Sequence, residues 1–134
     1  MEQVKALLAG LRENYLRDLG SHIDDIEQLL LALERDGFSL NICRDMYRKV
    51  HSLKGSGGTF GLDFLSDICH PFEDLLSSLI ETPNGLHNGF VDNALAYIDL
   101  MGKTGNLYAD GQEPSNDLRL SLRTVRKQVS QKSH

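Results

Sequence analysis

An all-α fold, an up-down antiparallel four-helix bundle with an additional C-terminal helix, is what this sequence predicts, and two observations carry that prediction. Apolar residues recur at steps of three and four along most of the chain, which is the spacing of one helix face. The residues that break this pattern are confined to short turns, and long amphipathic helices joined by short turns stack antiparallel. No internal repeat interrupts the series, and 134 residues fit a single domain, with the bundle over about 11–108 and the extra helix over about 115–131.

The first helix is marked by Leu16, Leu19, Ile23, Ile26, Leu30 and Leu33, whose steps alternate between three and four. Val4 to Leu11 is helical in composition as well, and Gly10 or Gly20 is the expected position of a bend between the two stretches. Asp36-Gly37 ends the helix, since glycine accepts the left-handed turn favoured at a helix C-terminus. The second helix starts near Ser39 or Asn41, either of which can cap it, and buries Ile42, Met46, Val50 and Leu53. At about 100° per residue, Tyr47, His51, Lys54 and Gly58 share a different face.

A third helix, from about Leu62 to Ile80, buries Leu65, Ile68, Phe72, Leu75 and Leu79, with His70 and Glu73 neighbours at the edge of the stripe. Pro71 lies inside it, removes a backbone donor and crowds the carbonyl of Asp67, so a kink is expected there. Thr82-Pro83-Asn84-Gly85 is turn chemistry. The fourth helix carries Phe90, Ala94, Tyr97 and Met101 and runs towards Tyr108 despite Gly102 and Gly105. Asp110-Gly111 and Pro114 form a loop before a last helix that buries Leu118, Leu122, Val125 and Val129.

Composition excludes several classes of function. With 40% hydrophobic and 25% charged residues the chain reads as an ordinary soluble globule, and no run approaches the roughly 20 apolar residues of a membrane span. Ala6-Leu7-Leu8-Ala9 lacks the basic start and cleavage pattern of a secretory signal, so a cytoplasmic monomer is the expectation. A formal charge of −5 argues against nucleic acid as the main partner. The charge is uneven, however: Arg119, Arg123, Arg126, Lys127 and Lys132 stand against Asp117 alone after Ser115. Such a basic helix is either a solvated face or a surface for acidic partners. Cys43 and Cys69 are far apart, without metal-ligand spacing, and read as small buried residues.

The segment that carries chemistry is His51-Ser52-Leu53-Lys54-Gly55-Ser56-Gly57-Gly58-Thr59-Phe60-Gly61-Leu62. A phosphoryl acceptor needs a nucleophile that is largely neutral near pH 7, and histidine, with an ordinary pKa of about 6.5, suits that role. Lys54, one turn away, supplies a cation for a transferring phosphoryl group. Gly55, Gly57 and Gly58 disfavour helix by up to about 1 kcal/mol each, and the reading that offsets this is close approach of a partner to the imidazole. Tyr47, Gly55 and Gly58 are then the partner-docking residues.

This segment resembles the signature of histidine-containing phosphotransfer domains, His-x-x-Lys-Gly followed six residues later by Gly, matched by His51, Lys54, Gly55 and Gly61. Gly58-Thr59-Phe60-Gly61 is most similar to the version found in the N-terminal phosphoacceptor domain of chemotaxis-type histidine kinases. The resemblance covers roughly residues 11–108. It implies that the distal ring nitrogen of His51 is phosphorylated, that Glu73 holds the other nitrogen, and that His70 contacts the phosphoryl group or tunes this pair. It also implies a phosphohistidine carrier rather than an enzyme, with response-regulator receiver domains and a histidine kinase as partners, or alternatively the kinase's own phosphoacceptor domain. No cofactor is implied in this chain, and Mg²⁺ is placed in the partner.

Two rival readings fit less well. A metal-binding bundle would use His51, His70 and Glu73 as ligands, but Lys54 is ill-suited beside a cation. A purely structural interaction module is disfavoured by the intact His51 and Lys54. Gly102-Lys103-Thr104 is not a phosphate-binding loop, because Tyr97 stands where its first glycine is required.

Overall fold

The computed structural model describes residues 1–82 and 89–132, with side chains described as far as Val129. Among these residues there are five helices and no strands: α1 (Glu2–Asp36), α2 (Leu40–Thr59), α3 (Asp63–Glu81), α4 (Phe90–Ala109) and α5 (Asn116–Lys132). Contacts join α1 to α2, α2 to α3, α3 to α4 and α4 back to α1, which closes a four-helix ring. α5 lies outside that ring against α3 and α4. The up-down bundle with an added helix is therefore what forms.

One core runs through the ring. Leu19, Ile23, Ile26, Leu30 and Leu33 enter from α1, Cys43, Met46, Val50 and Leu53 from α2, and Leu65, Ile68, Phe72, Leu76 and Leu79 from α3. α4 adds Phe90, Ala94, Tyr97 and Met101. The expected burial fails at the edges of the stripes. Leu75 is half-buried, as are Ile42, Leu118, Val125 and Val129. After Phe72 the inward position falls four residues on, at Leu76, because a step of three stops about 60° short of a full turn whereas a step of four passes it by only about 40°.

Neither Gly10 nor Gly20 interrupts α1, which is one helix of 35 residues, about 52 Å long. α2, α3 and α4 have 19 or 20 residues each, so the first turns of α1 outrun the bundle and leave Val4, Leu7, Leu8 and Leu11 exposed. An interruption at either glycine would have no cause beyond weak helix propensity, and at both positions an added Cβ would meet open space. Pro71 likewise leaves α3 unbroken from Asp63 to Glu81. The carbonyl that loses its donor belongs to the exposed Asp67, where water can replace it.

The connections were more legible. Gly37 adopts φ 89° and its N–H donates to the Leu33 carbonyl, ending α1 where Asp36-Gly37 placed it. Ser39 Oγ accepts from the Ile42 N–H and caps α2. Between α2 and α3, Gly61 adopts φ 73°, its N–H reaches the Gly58 carbonyl, and the Leu62 N–H reaches the Gly57 carbonyl at 2.7 Å. That pair of bonds is the Schellman arrangement, in which a left-handed glycine satisfies the last carbonyls and turns the chain sharply. The Thr82 to Gly85 turn falls, from Pro83 on, outside the described residues.

Candidate functional site

The glycine hairpin between α2 and α3 sets up the site. It folds the two helices against each other along the most extensive contact in the molecule, and His51 and Lys54 on α2 thereby face Glu73 on α3. A close seam keeps them in reach. An added Cβ on Gly57 would lie 2.6 Å from Ser66 Oγ and 3.2 Å from the Leu62 carbonyl, so only glycine fits there without a shift. Ser66 Oγ in turn donates to the Lys54 carbonyl at 2.7 Å. Gly57 was expected to make room for a partner, but it is buried against α3 and makes room for Ser66. Gly55 and Gly58 are exposed with open space beyond, where that expectation stands.

His51 Nδ1 lies 2.5 Å from Glu73 Oε1, and Lys54 Nζ donates to Glu73 Oε2, also at 2.5 Å. The Glu73 side chain is 7% exposed and that of His51 62% exposed, so the carboxylate is sunk while the imidazole stands in solvent. Burial alone would push the Glu73 carboxyl up. Hydrogen bonds from Lys54 and His51 outweigh burial and hold it below the usual carboxylate range. The same bond from the other side, with Glu73 as acceptor, raises Lys54. Glu73 is thus a carboxylate that can only accept, which puts the proton of a neutral His51 ring on Nδ1 and leaves the lone pair on Nε2 facing outwards. Tyr47 lies one turn before His51 with its ring parallel, centroids 6.1 Å apart and planes 8° apart.

Lys54 was expected to face a transferring phosphoryl group. Instead its ammonium is engaged with Glu73, which makes it first a holder of the carboxylate; two of its three N–H donors remain available. His70 is not brought to the site. It makes no hydrogen bond with His51, Lys54 or Glu73, its ion partner is Asp74 at 4.0 Å, and it lines a groove shared with α5. The three residues of the metal-binding rival therefore do not converge, and among the described residues no three His, Cys, Asp or Glu side chains cluster as a metal site. Sequence reasoning missed Ser66, whose only signal was a small polar residue on the buried side of α3.

Comparisons with known proteins place the chain in a family. The Hpt domain family matches residues 10–101. Chemotaxis protein CheA of Borreliella burgdorferi is 28% identical over 96 residues, covering 72% of this chain and 11% of that protein. CheA of Salmonella typhimurium is 30% identical over 107 residues, covering 80% of this chain and 16% of that protein. The chain thus spans less than a fifth of the curated relatives it matches. The solution structure of the histidine phosphotransfer domain of CheA superposes with a TM-score of 0.67 at 19% identity, over 94% of this chain and 91% of that one, which shows the shared fold. Because the family match spans more than half of the chain and takes in His51, Lys54, Gly61 and Glu73 together, this chain belongs to the Hpt domain family.

Proposed function

We propose that this chain is a phosphohistidine carrier of a two-component system, in which Nε2 of His51 takes a phosphoryl group from one partner and yields it to another. The observation that carries the reading is the bond between His51 Nδ1 and the sunken Glu73 carboxylate, which leaves Nε2 unprotonated and exposed. When the Nε2 lone pair attacks the γ-phosphorus of ATP, the bond to the leaving ADP oxygen breaks and positive charge develops on the ring. Glu73 stabilises that charge through Nδ1–H, and Lys54 keeps Glu73 ionised while offering a donor to the phosphoryl oxygens. Transfer onward reverses the step: an aspartate oxygen of a receiver domain attacks phosphorus, the P–N bond breaks, and the electron pair returns to Nε2. The ring ends as it began.

Nothing in these residues recommends nucleotide binding, since Gly102-Lys103-Thr104 lies within α4. ATP and Mg²⁺ are therefore assigned to a kinase partner, and Mg²⁺ with the accepting aspartate to a receiver. Relatives named as chemotaxis proteins support the narrower reading of a phosphoacceptor domain serving a chemotaxis-type kinase. No described helix is long and apolar enough to cross a membrane, in keeping with the cytoplasmic setting that such partners occupy.

The chain is to be incubated with a histidine-kinase ATP-binding domain, Mg²⁺ and labelled ATP, and separately with a labelled phospho-receiver. Label is expected as an acid-labile, base-stable phosphoramidate that is lost in His51→Gln. Labelling by the kinase alone selects the kinase phosphoacceptor, and exchange with the receiver in both directions selects the relay carrier. Label that survives in His51→Gln, or none from either donor, sinks the proposal.

A further inference from the structure

The basic character of α5 has no part in the phosphoacceptor site, because α5 does not touch α2. The structure gathers it into one place. Arg119, Arg123, Arg126 and Lys127 line an open groove of about 740 Å³ between α5 and α3, with Asp67 and His70 on the opposite bank. Their steps of four, three and one keep them on one side of the helix, next to its apolar stripe. Elsewhere Arg35, Arg48, Lys49, Lys54 and Lys103 are each within ion-pair distance of a carboxylate, while Lys5, Arg12, Arg17 and Arg44 are scattered singly without one among the described residues. Among the described residues, none of the four groove cations has such a partner, although Asp67 faces the same groove. Arg119 stacks over the Phe64 ring, 5.1 Å from its centroid, so one guanidinium is held in place without neutralising its charge. Phe64 and Leu122 form the floor and are themselves buried, while the four cations, Asp67 and His70 stand exposed around it.

We propose that this groove docks a carboxylate-rich protein surface, at a site distinct from His51 and independent of the phosphoacceptor reading. Charge complementarity selects the occupant: unpaired guanidinium groups on a helix are donors in search of planar acceptors, and carboxylates match that fork. The open, shallow form suits a protein face better than an enclosed small molecule. Because α5 sits on the far side of α3 from α2, a partner held there leaves Nε2 of His51 free to meet a second protein. Such contacts raise the association rate and fade with salt.

The test is backbone amide NMR of the whole chain titrated with a short oligoglutamate peptide, in parallel with inorganic phosphate. Shifts are expected along Arg119–Lys127 and Asp67–His70, weakening as salt is raised, while Tyr47–Gly58 stays unchanged. Arg123→Glu with Lys127→Glu should weaken binding about tenfold or more, each exposed pair being modest by itself. Arg123→Gln with Lys127→Gln should give a smaller loss in the same direction and guards against misfolding of the reversed pair. Shifts of equal size at Lys5, Arg17 and Arg44 would reduce the effect to general attraction and overturn the site. Tighter binding of phosphate at the same amides would make it a small-anion site instead. Self-association that vanishes in the reversed pair would identify the occupant as the acidic body of a second copy, which also overturns the proposal.

Discussion

At the scale of single residues, the site consists of one carboxylate serving two bases. Glu73 is lowered below its ordinary value, so its stabilising contribution is fully present above the unfolded value of about 4.3 and is lost as pH falls through the folded one. Lys54 is raised, so its contribution is present below about 10.4 and is lost as pH rises through its folded value. The wild-type urea midpoint should therefore drop more steeply between about pH 5 and 3 than that of Glu73→Gln, in which the group cannot titrate. The same variant should slow phosphorylation by a kinase by about 10²-fold, the scale of lost proton-handling at a nucleophile, and slow exchange with a receiver less. Equal rates in wild type and Glu73→Gln would make the carboxylate a structural anchor only. The glycines separate by environment. Gly57→Ala should destabilise by about 1–3 kcal/mol in denaturant melts, because its Cβ drives into Ser66 Oγ. Gly55→Ala and Gly58→Ala should stabilise by about 0.4–1 kcal/mol, since open space surrounds both. If either stabilised variant also transfers more slowly to its partner, the missing side chain serves docking.

At the scale of elements, the α2–α3 hairpin is the decisive unit, because His51, Lys54 and Glu73 meet only if the chain reverses at Gly61. Gly61→Ala forces a side chain into φ 73° and should cost about 1–2 kcal/mol, with an accompanying change in the His51 ring resonances as Glu73 moves. The start of α3 near Leu62 was legible in the sequence but the reversal at Gly61 was not, since that glycine stood there only as a signature residue; the core face of each helix was legible in its three-four spacing. Among the misses were Leu75 against Leu76, a slip of one residue within a stripe, and the half-buried Ile42, Leu118, Val125 and Val129. Periodicity fixes a face to within one position, and glycine alone does not interrupt a helix that solvent and neighbours leave unopposed. The overhang of α1 was also unreadable, since Val4, Leu7, Leu8 and Leu11 have the same spacing as the buried residues that follow. Deleting residues 1–10 should shift the melting temperature little, because none of them is buried, provided Arg12 keeps its bond to the Phe60 carbonyl and Tyr15 its stacking on Phe60.

At the scale of the whole molecule, the ring of α1 to α4 and the outer α5 divide the labour. A chain ending near Asp110 would uncover Phe64 and Tyr97, and should unfold at lower urea while still accepting phosphoryl at His51. Loss of acceptance in a truncated chain that remains helical would tie α5 to the site. His70 illustrates why the sequence could not supply the whole site. Three residues from Glu73, it is a near neighbour along α3, but the hundred-degree turn per residue sends it to the α5 flank while Glu73 goes to α2. The exposure of His51 has a further consequence in time. An imidazole that is 62% exposed, backed by Glu73 on its inner nitrogen, would hold its phosphoryl group in contact with water. The chain then stores the signal for no longer than that bond survives hydrolysis, and a message not collected within its half-life is erased without any phosphatase.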